Sequence, residues 1–120
     1  MVLVETSVWI AHFRSGNAFL ERLLIDGEVL CHPLIVGELA CGNLKNRREI
    51  LALLKTLPMT SSAENDEVLH FIENKKLMGL GLGIIDMHLL VGALLTNAIL
   101  WTRDKKLEKV AKDLGVGYRS

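Results

Sequence analysis

The chain has 120 residues, half of them hydrophobic, with 14 basic and 14 acidic side chains and a formal net charge of zero. That length accommodates one folded domain with a real core, here taken as residues 1–120, and excludes two. A charge-balanced chain with only 5% aromatic residues is neither a polybasic nucleic-acid coat nor a broad base-stacking platform.

In chain order, Val2-Leu3-Val4 is a short apolar run that reads as a strand, and Thr6-Ser7 can cap the helix behind it. Val8, Trp9, Ile10 and Phe13 predict that helix, ending near Ser15-Gly16. Phe19, Leu20, Leu23 and Leu24 mark a second helix that stops at Asp26-Gly27, and Val29-Leu30-Cys31 reads as a second strand. Pro33 suits the first turn of the next helix, which carries Glu38 and ends near Gly42-Asn43. Ile50, Leu51, Leu53, Leu54 and Leu57 follow the spacing of an amphipathic helix.

Pro58-Met59-Thr60 predicts a weak third strand, and residues 63–78 a helix with Val68, Leu69, Phe71 and Ile72 inward. From Gly83 to about Thr96 the sequence is apolar nearly all round, which predicts a buried helix stopped by Asn97. Ile99-Leu100-Trp101 is a further strand, Leu107, Val110, Ala111 and Leu114 face one side of a last helix, and Val116-Gly117-Tyr118 adds a short terminal strand. Strands alternating with helices imply right-handed crossovers, hence an α/β fold of three α/β/α layers around a parallel sheet of four to five strands.

Residues 77–102 are long enough to span a bilayer, but Asp86, His88 and four glycines argue for a buried helix and strand, and no membrane partner is expected. The N-terminus enters a strand pattern at once, without a signal peptide's charged leader. Cys31 and Cys41 lack CxxC spacing and read as reduced core thiols of a cytoplasmic protein. The high apolar content also predicts a surface patch covered by another chain.

Four acids lie in or beside apolar runs: Glu5, Glu38, Asp86 and Asp104. An ionised carboxylate near buried surface is costly unless something compensates it. One divalent cation would compensate all four, since hard ions such as Mg²⁺ take carboxylate and water oxygens. Such an ion can activate water and neutralise charge on a phosphodiester under attack. Glu5 and Asp104 follow strands directly, on the sheet edge where α/β sites form. Read singly, each acid has a structural alternative: Glu38 as an exposed helix residue, Asp104 as a helix N-cap, Asp86 as a cap or the partner of a buried arginine.

The segments Val4-Glu5-Thr6-Ser7-Val8-Trp9-Ile10, Gly37-Glu38-Leu39, Ile84-Ile85-Asp86 and Trp101-Thr102-Arg103-Asp104, in that order, resemble the four signature segments of the PIN domain. The chain is most similar to VapC-type toxins of prokaryotic toxin–antitoxin systems. That resemblance implies a Mg²⁺- or Mn²⁺-dependent endoribonuclease, an antitoxin whose C-terminal segment covers the active-site groove, and a homodimer. It matches Glu5, Glu38, Asp86 and Asp104 to the catalytic, metal-binding acids, and Thr6 and Thr102 to hydroxyl residues that support them. The family has Asp where this chain has Glu5, and the added methylene moves the carboxylate by about 1.5 Å. Misplacement of about 1 Å can cost on the order of a hundredfold in rate. Weakened metal binding and reduced cleavage are therefore expected.

Arg14, Lys45, Arg47, Arg48, Arg103, Lys105 and Lys106 are candidates for an RNA path, Arg103 and Lys105 foremost because they flank Asp104. His12 and His88 suit a metal-free acid–base ribonuclease, but a partly buried histidine with a local hydrogen bond is the simpler reading of each. Gly79-Leu80-Gly81-Leu82-Gly83 is no dinucleotide fingerprint, and reads as a flexible entry to the Asp86 helix. Two other functions compete: a PIN module silenced by Glu5 that only binds RNA or antitoxin, and a receiver-like signalling domain. The receiver requires an Asp after the third strand, where Thr60-Ser61-Ser62 stands instead.

Overall fold

The computed structural model describes residues 1–118. Three parallel strands form the sheet: β1 (Val2–Val4), β2 (Val29–Leu30) and β3 (Ile99–Trp101), in the order β2-β1-β3. Val2 and Leu3 pair with Val29 and Leu30 on one side, and Val2, Leu3 and Val4 pair with Ile99, Leu100 and Trp101 on the other. All three residues of β1 are buried, as a central strand covered on both faces requires.

The expectation of four to five strands is corrected to three among the described residues. Both further segments make only isolated parallel bridges, Cys31 with Met59 and Leu100 with Gly117. Cys31 N donates to Pro58 O at 2.8 Å and Thr60 N to Cys31 O at 2.9 Å, and there the pairing ends. Proline has no N–H to offer, and beyond Cys31 the chain turns into a helix cap at His32. At the other edge Leu100 exchanges bonds with Val116 and Tyr118 before its strand ends.

Seven helices complete the described chain: α1 (Thr6–Ser15), α2 (Ala18–Ile25), α3 (Pro33–Ala40), α4 (Arg47–Thr56), α5 (Asn65–Lys75), α6 (Ile84–Thr96) and α7 (Lys105–Asp113). The chain moves outward from β1 through β2 to the Met59 bridge, then back across to β3 and on to the Gly117 bridge. With right-handed crossovers, that reversal puts α1 to α4 on one face and α5 to α7 on the other. The packing of α3 against α1 and α4, of α5 against α6, and of α6 and α7 against β3 agrees.

Several faces differ from the periodicity. Leu53 is 67% exposed and Leu69 51%, so neither serves the core assigned to it. Helix α6 is buried along Met87 and Leu89 to Ala93, but Ile84, Leu94 and Leu95 are exposed. Cys31 is buried, whereas Cys41, the C-cap of α3, is exposed and not a core thiol. Helix α1 is capped by Glu5, not by Thr6 or Ser7.

The N-cap of α3 is His32, whose Nδ1 accepts from Leu34 N at 3.0 Å. Accepting there leaves the neutral ring's proton on Nε2, and burial, followed by the nearby His88, pushes the His32 pKa down. Gly92 of α6 packs directly on this corner. A Cβ at Gly92 would meet Thr60 Oγ1 at 2.9 Å, and His32 Cδ2 and Ser61 O at 3.4 Å. Gly92→Ala is therefore expected to lower stability by about 1–3 kcal/mol through overpacking, outweighing a helix-propensity gain of about 1 kcal/mol. A lowered urea midpoint at unchanged m-value is the readout.

Candidate active site

The acids reach the carboxyl edge of the sheet from four different elements. Glu5 leaves β1 directly and caps α1, while Asp104 follows β3 and caps α7 by accepting from Lys106 N at 2.9 Å and Leu107 N at 3.1 Å. Glu38 lies within α3, and Asp86 in the first turn of α6, where it accepts from Gly83 N at 3.2 Å. Glu5 and Asp104 thus flank the point where strand order reverses, the place at which open α/β sheets bind ligands.

Hydroxyl groups hold two of these carboxylates in place. Thr102 Oγ1 donates to Glu5 Oε1 at 2.7 Å and accepts from Asp104 N at 3.0 Å, so one hydroxyl ties both strand ends together. Thr6 Oγ1 donates to Glu38 Oε1 at 2.6 Å, linking α1 to α3. The sequence reading missed Ser7. Its backbone N donates to Glu5 Oε1 at 3.1 Å, its hydroxyl donates to the same oxygen, and Arg103 N donates to Ser7 Oγ at 2.9 Å. The available signal was a hydroxyl two positions after an acid at a helix start, the spacing of a capping acceptor.

Glu5 is only 9% exposed, yet Oε1 collects all three of these bonds, and Oε2 takes no side-chain or backbone donor among the described residues. Asp86 senses the other acids. Its carboxyl is pushed above the ordinary range chiefly by burial, against the lowering effect of the Gly83 N–H, and then by the charges of Glu5, Asp104 and Glu38. Charges act this way only over short range, so Asp86 lies within electrostatic reach of the other three acids. Among the described residues no three His, Cys, Asp or Glu side chains close into a ready-made ligand cluster. The donor set instead suits a hard ion that binds one or two carboxylates and keeps several waters.

Arg103 and Lys105 are both exposed beside Asp104, and Arg103 also borders a groove with Arg14. His12 and His88 are partly buried with local bonds: His12 Nδ1 accepts from Asn17 N at 3.0 Å, and His88 Nε2 lies 3.4 Å from Asn65 Oδ1. The glycine-rich entry to α6 is a defined turn. Gly81 has φ +80, and Lys106 crosses it with Nζ 2.9 Å from where a Cβ would stand.

The PIN domain family model matches residues 2–113, spanning all four acids. The chain belongs to the PIN domain family. Ribonuclease VapC32 of Mycobacterium tuberculosis, in strains CDC 1551 / Oshkosh and ATCC 25618 / H37Rv alike, is 46% identical over 117 residues, which is 97% of this chain and 94% of the relative. Among PIN proteins the chain is therefore of VapC type. No helix among the described residues is long and apolar enough to cross a membrane.

The burial of Asp86, with the charges near it, has a measurable consequence. Folded Asp86 holds its proton more tightly than the unfolded chain, where its pKa is near 3.8. As pH rises past that value the unfolded chain ionises first, and the folded state loses relative stability until folded Asp86 ionises too. Asp86→Asn keeps an acceptor for Gly83 N and removes this cost. In metal-free buffer the variant is expected to match the parent below about pH 3.8 and to melt a few degrees higher at pH 7. Thermal melts across that range check it.

Proposed function

We propose that this chain is an endoribonuclease, the toxin of a toxin–antitoxin pair, and that Glu5, Glu38, Asp86 and Asp104 form its catalytic, metal-binding centre. The observation carrying this reading is the placement of Glu5 and Asp104 at adjacent strand ends, tied together by Thr102, with Glu38 bound to Thr6 beside them. Membership of the PIN family and the 46% identity to a protein named as a ribonuclease support it. Residues 1–120 are taken as one domain, and free Cys31 and Cys41 are in keeping with a reducing cytoplasm.

A bound Mg²⁺ or Mn²⁺ would supply positive charge against the reacting phosphodiester. The protein's own part is positional. Ser7 and Thr102 fix one oxygen of Glu5 and leave the other open, Thr6 orients Glu38, and Asp104 is aimed by its own helix cap. Arg103 and Lys105, exposed on either side of Asp104, are read as phosphate contacts. Pairing with an antitoxin and with a second copy of the chain is supported by uncovered apolar side chains, among them Phe19, Ile25 and Leu53 on α2 and α4.

Incubating the purified chain with RNA tests the mechanism. Cleavage is expected with Mg²⁺ or Mn²⁺ and none in EDTA; cleavage that survives EDTA would overturn the metal-dependent reading. Glu5 supplies a second test. Glu5→Asp is expected to raise turnover, by up to about a hundredfold, and to lower the Mn²⁺ concentration needed for half-maximal activity. Equal turnover and equal metal dependence would show that the longer side chain reaches the cation unimpaired. Antitoxin binding without cleavage at any Mn²⁺ concentration, restored by Glu5→Asp, would mark the chain as a silenced binding module.

A further inference from the structure

A groove of about 460 Å³ opens between the C-terminal half of α1 and the turn after β3. Arg14 and Arg103 both line it, 89 positions apart in sequence, and Trp101 and Asn17 also belong to its wall. Three other exposed cations are spent on their own helices: Arg22 pairs with Asp26, Lys109 with Asp113 and Lys112 with Glu108. The guanidiniums of Arg14 and Arg103 make no ion pair or hydrogen bond among the described residues. Asn17 uses its Oδ1 to accept from Leu20 N, which leaves its amide donors unspent. The groove therefore collects hydrogen-bond donors and positive charge on a chain whose net charge is zero.

Its connection to the acidic centre is covalent and short. Arg103 adjoins Asp104, and Arg103 N donates to Ser7 Oγ, the hydroxyl that also holds Glu5. Trp101 stacks on Tyr118 with ring centroids 4.7 Å apart, so its indole is braced as it meets the groove. Guanidinium groups suit phosphate oxygens, and a braced aromatic wall suits an unstacked base.

We propose that this groove is a binding subsite for single-stranded RNA, holding the strand as it leaves the acidic centre, with Arg14 and Arg103 on its phosphates and Trp101 against a base. The subsite rests on the endoribonuclease reading for its orientation, but it is tested without catalysis. Binding of a fluorescein-labelled oligouridine of about 12 nucleotides is followed by anisotropy in EDTA, over a range of salt concentrations, for the full chain, Arg14→Gln and Arg22→Gln. Arg14→Gln is expected to weaken binding roughly three- to tenfold at low salt and to reduce the salt slope by about 0.7. Arg22→Gln removes the same charge from an ion-paired position and is expected to bind as the parent does. Both variants are exposed on helix surfaces, and equal melting temperatures establish that folding is intact.

The outcomes separate the two readings. If Arg14→Gln binds like the parent, or if both variants weaken equally, the subsite is overturned whether or not the parent cleaves RNA with Mn²⁺. If Arg14→Gln alone weakens binding while the parent never cleaves RNA, the subsite stands and the endoribonuclease reading fails. If the parent neither binds nor cleaves, both fall.

Discussion

A carboxylate buried at the end of a central strand must be solvated by the protein itself, because water reaches it poorly and an uncompensated charge there costs several kcal/mol. Glu5 meets this demand on one oxygen only. Ser7 supplies its backbone N–H and hydroxyl, and Thr102 supplies a second hydroxyl from the neighbouring strand. These bonds decide where α1 begins, fix the spacing between the ends of β1 and β3, and set the orientation of the turn that carries Asp104. The other oxygen takes no such donor, and the Glu5 charge adds to the burial that pushes the Asp86 carboxyl up.

Hydroxyl side chains suit this task better than cations would. A lysine or arginine beside Glu5 would neutralise it, whereas Ser7 and Thr102 fix its position and leave its charge in place. Thr6 does the same for Glu38 across the α1–α3 contact. Positive groups are exposed on either side of Asp104, at Arg103 and Lys105, and Arg14 shares a groove with Arg103.

The strand–helix order and the place of Glu5 and Asp104 were legible because each follows a short apolar run, and such runs in alternation with helices admit few topologies. Asp104 as a cap was legible for the same local reason. Outer-face burial was not, since Leu53 and Leu69 have core-like spacing on helices that end at the edge of the packing. The extra strands read from Pro58-Met59-Thr60 and Val116-Gly117-Tyr118 failed because pairing needs a partner that stays extended, and β2 and β3 both turn away after two or three residues. Ser7 escaped notice because its importance lies in contacts to Thr102 and Arg103, about 95 positions away, which no local pattern encodes.

The bridge from Ser7 and Thr102 to Glu5 also sets the order of events on the ribosome. The strand Val2–Val4 waits for one of its two neighbours until residue 101 has been made, and the last of the four acids follows three residues later. No nascent chain shorter than this contains a complete acidic centre. The four acids of this chain therefore come together late, only once both neighbours of the central strand exist.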